Sequence, residues 1–171
     1  VPEEYGPKTM QARAQTVEGP AEFTGDGYGG KHFIAALAGR KTNGGIDGNS
    51  LRDLSGHIDE GRLTWQAPDG RWQVMTFTWE YTETEPLVVD GASKRAVNWY
   101  LNTVYQPHYE HFEDDFGKTI KGYFYDEPHT PGDWGAEVIP LLKERGVDWK
   151  KALTAWKFEL AGPEHVAARY Q

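Results

Sequence analysis

The sequence predicts an α/β protein, a partial (β/α) barrel segment with an inserted β-hairpin. Three observations point there. Short apolar runs bounded by glycine or an acid read as buried strands: KHFIAALAG from Lys31, LVVD ending at Asp90, and TIKGYFYDEP from Thr119. Segments with helical rhythm follow the last two, and strand–helix–strand–helix order is the mark of a parallel sheet. Between the first run and the second, residues 59–80 alternate like a hairpin.

Residues 1–30 are rich in Gly, Pro and acids and are read as an extended N-terminal segment, in which only TMQARAQTVEG has the composition of a short strand or helix. Residues 31–171 make up the barrel segment. Its first run is closed by RKTNGGIDGNS. The hairpin is GRLTWQ, a turn at APDG and then RWQVMTFTWE, where Pro68 before Asp69 and Gly70 is turn chemistry. Trp72 and Val74 alternate with Met75 and Phe77, so this strand is expected to be covered on both faces. A helix follows from about Ala92 to Phe112, with Ala96, Val97, Tyr100, Leu101, Val104 and Tyr105 on one face and Pro107 kinking or ending it. Further helices are expected near 133–145 and 148–160 and from Pro163 onward. Asp148 is the N-cap of one, and Gly146 the residue that stops the one before it.

A net charge of −8 over 171 residues, with no Lys/Arg cluster, argues against a nucleic-acid partner. No apolar run approaches the ~20 residues of a membrane span. Without cysteine there is neither a disulfide nor a thiolate metal site. The start at Val1, without Met, is read as a processed or excised end, and PEHVAARYQ as a helix cut off from its partner surface. With 7 Trp, 9 Tyr and 7 Phe the chain has rings enough to cover sugar faces, although most are expected in the core.

In a parallel sheet the reactive groups belong at the C-terminal ends of strands, where Asp126 and Glu127 fall after IKGYFY. Breaking a glycosidic bond takes a carboxylic acid to protonate the leaving oxygen and a second carboxylate as base or nucleophile. Glu127 is the candidate acid, its pKa raised by rings such as Tyr125 and Trp134. Asp126, on the opposite side of the strand, is assigned to orienting the loop or holding a sugar hydroxyl or a cation. Asp90, at the end of LVVD, and His129 are candidate substrate-binding groups with Tyr125 and Trp134. The same acids have a plainer reading as caps of the helices that follow. His108 and His111, with Glu110 and Glu113, have no metal-protease spacing and are read as a solvated helix end. No phosphate-binding loop or nucleophile elbow occurs, and GDGYGG at 25–30 precedes its strand instead of following one.

The hairpin Gly61–Trp72 (G-x-L-x-W-x-x-P-x-G-x-W), the acid pair Asp126–Glu127 and the stretch Trp134–Asp148 together resemble the catalytic-barrel region of bacterial glycoside hydrolases of the α-L-rhamnosidase-like type. The resemblance spans about residues 15–171. It implies a general acid at Glu127, an oligosaccharide or glycoside substrate, and a bacterial periplasmic or secreted parent. It assigns no cofactor residue, a structural calcium ion being a matter for the parent. Such enzymes are several times longer, and no partner carboxylate comparable to theirs precedes Gln171. The chain is therefore read as an excerpt with little activity alone, whose open edges lead it to associate with itself or with the rest of a parent. A non-catalytic carbohydrate-binding module, suggested by the Trp-rich hairpin, is the alternative.

Overall fold

A computed structural model describes residues 1–83, 88–124 and 131–169. Its strands are β1 (Lys8–Asp26), β2 (Phe33–Thr42), β3 (Gly45–Ile46), β4 (Arg52–Asp53), β5 (Ile58–Asp59) and β6 (Arg62–Tyr81). They form one sheet in the order β1-β6-β2-β3, with β4 on β2 and β5 on β6. The helices are α1 (Lys94–Tyr100), a π-helical turn Leu101–Tyr105, α2 (Gln106–His111), α3 (Val138–Glu144), α4 (Trp149–Lys157) and α5 (Glu164–Arg169).

This corrects the expected (β/α) barrel segment. The pairings β2–β3, β2–β4, β2–β6 and β5–β6 are all antiparallel. Side-chain partners Gln11–Glu80, Glu18–Arg71 and Glu22–Gln66 run the same way for β1 and β6. The reason lies in chain order. A parallel pair needs a crossover of roughly a dozen residues or more, usually a helix. Here every described strand lies within residues 8–81 and every described α-helix after residue 93. The two runs read as barrel strands form none among the described residues: 88–90 have no strand, and Ile120 makes only an isolated bridge to Phe116.

The hairpin is corrected too. Pro68-Asp69-Gly70 does not turn the chain, because the residues on both sides of it pair with the same neighbour: Gln66 binds Glu22 of β1, and Arg71 binds Glu18 of β1. β6 therefore runs straight through. Trp72 Nε1 donates to Pro68 O at 2.9 Å and the Arg40 guanidinium to Asp69 O at 2.9 Å, so side chains satisfy two carbonyls of this stretch. The true reversal is at Glu60 and Gly61, with φ of 45° and 81°, the tight two-residue turn whose twist matches flanking strands. It sets Ile58 opposite Leu63 and Asp59 opposite Arg62.

The chain divides into two compact units. In the unit of Met10–Glu80 and Ile139–Gln171, Phe23, Ala36, Ala38, Leu54, Leu63, Trp65, Trp72 and Val74 make up one buried cluster. The alternate residues Ala35, Leu37, Met75 and Phe77 are buried as well, with Phe158 edge-on to Phe77, so the expectation of two covered faces for 72–77 holds. The C-terminal helices are close to their expected places. Asp148 Oδ1 accepts from Lys150 N and Lys151 N to cap α4, and Gly146 takes φ 71°. Lys151 Nζ reaches Asn49 Oδ1 at 3.0 Å. No described helix is long and apolar enough to cross a membrane.

Candidate functional site

The other unit comprises Val1–Thr9 and Tyr81–Val138. Asp126, Glu127, Tyr125 and His129 lie outside the described residues. What the structure gives is how the chain is fixed on each side of them.

On the N-terminal side the fixture is aromatic. α1 is capped by Ser93, whose Oγ accepts from Ala96 N at 3.4 Å. Pro107 brings no N–H to the helix ladder, and just before it the helix widens into the π-helical turn Leu101–Tyr105, with Gln106 N bonding Leu101 O. Two carbonyls there take side-chain donors. His108 Nδ1 meets Val104 O at 2.6 Å, and the Tyr123 hydroxyl donates to Tyr105 O at 3.0 Å. Rings then touch in series: Tyr100 edge-on to Tyr105, Tyr105 edge-on to Tyr123, Tyr123 tilted against Phe116, and Phe116 against Tyr109. Tyr109, Phe112 and Tyr123 are exposed, and Phe124 is 85% exposed.

On the C-terminal side the fixture is backbone. Lys8 O accepts from Asp133 N at 2.9 Å and from Trp134 N at 3.0 Å. Gly132 has φ 94°, and a Cβ on it would stand 2.5 Å from Lys8 O, so only glycine allows this approach. A Cβ on Gly135 would stand 2.6 Å from Ala92 O.

Asp90 and Trp134 can be placed directly. Asp90 is 1% exposed and its carboxylate is fully engaged: Oδ2 with Lys8 Nζ at 3.2 Å and Oδ1 with Ala92 N at 2.9 Å. Its own N–H donates to Tyr5 O at 2.8 Å. Such a group holds the N-terminal segment to the start of α1. Trp134 is buried beside the Lys8 backbone. The Trp-rich strand is likewise internal, Trp65 and Trp72 being buried edge to face. His108 and His111 are exposed, and among the described residues no group of His, Asp and Glu could hold a metal ion.

Two features of this unit are not among the residues expected at a site. In the ring series Tyr105, Tyr109 and Phe116 stand four and seven residues apart, and the expected helix face takes in Tyr100 and Tyr105 but neither Tyr109 nor Phe116. The other is Glu137, three residues after Trp134, whose Oε2 is buried and accepts no hydrogen bond among the described residues. Comparison with protein-family models, curated proteins and solved structures gives no match.

Proposed function

We propose that the chain is a glycoside hydrolase catalytic segment, akin to the α-L-rhamnosidase-like enzymes, that acts on an oligosaccharide or glycoside. In this reading Glu127 protonates the leaving glycosidic oxygen, and Asp126 assists it. One observation carries most weight: the contacting rings run to Tyr123, and the exposed Phe124 follows it, directly before Tyr125-Asp126-Glu127 in the chain. A ring face carries partial negative charge and attracts the C–H face of a pyranose, so exposed rings beside carboxyl groups combine sugar binding with the acid that cleavage needs.

Engagement of Asp90 with Lys8 and burial of Trp134 leave Tyr125, His129 and the exposed rings as the sugar-contacting groups of this proposal. The test is turnover of a panel of p-nitrophenyl glycosides, at high protein concentration because the turnover of the chain alone is expected to be small, by the chain and by Glu127→Gln. Loss of about two to four orders of magnitude in the variant is expected, the usual contribution of a positioned acid. Equal turnover in both ends the proposal. The same rings also support a non-catalytic carbohydrate-binding module, which would bind saccharides and hydrolyse none.

A further inference from the structure

In the unit of Met10–Glu80 and Ile139–Gln171, two arginines are carried onto one buried ring. Arg40 of β2 stands opposite Trp72 of β6, and Arg52 of β4 stands opposite Ala38, two positions from Arg40 on β2. Residues directly opposed, and residues two apart along a strand, share a face, so Arg40, Arg52 and Trp72 project from one side of the sheet. The guanidinium carbons of Arg40 and Arg52 lie 5.6 and 5.1 Å from the centre of the Trp72 ring, which is 2% exposed. Trp72 is held by Nε1 on Pro68 O, and Arg40 by Nη2 on Asp69 O. Both arginines are exposed and open to a ligand.

Their charge is not neutralised. A ring attracts a cation but carries no counter-charge. The chain has a net charge of −8, yet among the described residues neither guanidinium has a carboxylate in ion-pair range, whereas Lys8, Arg62, Arg71 and Lys150 each have one. Like charges on neighbouring strands repel. Shielding Trp72 from water would need the arginine stems, and it gives no reason for two cationic heads without an acid.

We propose that Arg40 and Arg52 bind a doubly charged oxyanion, a phosphate or sulfate group, with Trp72 as the fixed ring that holds the two cations together. Two guanidinium groups match its charge, and their planar N–H forks match its oxygens. The proposal does not rest on the carbohydrate reading above.

The experiment titrates the chain with phosphate, sulfate and glucose 6-phosphate, and with glucose as the uncharged control, by calorimetry at fixed ionic strength. The Trp72 indole N–H signal, identified by its loss in Trp72→Phe, is followed by NMR. Phosphate and sulfate should bind and shift that signal, and glucose should do neither. Arg40→Gln and Arg52→Gln should each bind at least ~10-fold more weakly, while Arg13→Gln, which removes an exposed charge from β1, should bind as the wild type does. Arg52→Lys keeps the charge and most of the stem but has no fork, and its affinity should fall between those of Arg52→Gln and the wild type. Tighter binding of glucose 6-phosphate than of phosphate would make an ester the ligand, and equal binding the free ion; both support the site. No oxyanion binding by the wild type overturns the proposal. So does binding kept intact in the Arg40 and Arg52 variants, or weakened as much by Arg13→Gln, which would mean general attraction of anions.

Discussion

Lys8 and Asp90, 82 positions apart, meet as a buried ion pair at 3.2 Å, their side chains 12% and 2% exposed. Lys8 Nζ also donates to Gly6 O at 3.0 Å and lies 5.4 Å from the centre of the Tyr81 ring. Removing one partner leaves the other charge buried without its counter-ion. Asp90→Ala or Lys8→Met should therefore cost about 3 to 5 kcal/mol, whereas Lys8→Met with Asp90→Leu should cost clearly less than the two singles together. Urea unfolding of the four proteins measures this. Additive losses would mean that the pair is not a coupled contact.

Thr154, on α4, is completely buried, and its Oγ1 has no hydrogen-bond partner among the described residues. Valine has nearly the same shape and no hydroxyl to desolvate. Thr154→Val is expected to be neutral or to stabilise by up to ~1 kcal/mol, against the usual trend for core substitutions. A loss above about 1 kcal/mol in chemical denaturation would show that the hydroxyl has a donor or acceptor after all.

Asp148 caps α4 through Oδ1, and Asp148→Ala should cost about 0.5 to 2 kcal/mol, with less effect for Asp148→Asn or Asp148→Ser. Differential scanning calorimetry of the three variants checks the order. This cap was legible in the sequence because capping is decided within a few residues, as were the stop at Gly146 and the strand from Phe33. The fold class was not, since it depends on which strand lies beside which. Pro68-Asp69-Gly70 has the chemistry of a turn, and only the common neighbour β1 on both sides of it keeps the strand straight. The candidate site was legible to a similar depth. Asp90 is an acid at the end of an apolar run in the sequence, and nothing local shows that Lys8 already occupies it. The strand-then-helix order of the chain was a signal against a parallel sheet that the apolar runs outweighed.

Gly45 joins β2 to β3 with φ 120°, and a Cβ there would stand 2.7 Å from Glu159 O. The same place is stitched by Ile46 N to Glu159 O and Ala161 N to Ile46 O, which hold the segment after α4 to the sheet. Gly45→Ala meets both a disfavoured backbone angle and a backbone clash. A cost of about 2 kcal/mol or more is expected, roughly the sum of positive-φ strain and overpacking. Hydrogen exchange should show the loss first at Ile46 and Ala161. Unchanged protection there would refute the account.

Tyr123 ties the residues before the acid pair to the π-helical turn in two separable ways, through its hydroxyl on Tyr105 O and through its ring on Tyr105 and Phe116. Tyr123→Phe keeps the ring and loses the hydroxyl, so it should cost no more than about 1.5 kcal/mol. Tyr123→Ala also loses two ring contacts, each contributing about 0.5 to 1.5 kcal/mol beyond burial. If these contacts fix the entry to Asp126 and Glu127, saccharide response should follow the ring and not the hydroxyl. Tyr123→Phe should then respond nearly as the wild type does, and Tyr123→Ala should lose most of its response while still folded by near-ultraviolet circular dichroism. An undiminished response in folded Tyr123→Ala would separate the ring series from saccharide binding, and with it the observation on which the proposed function leans most.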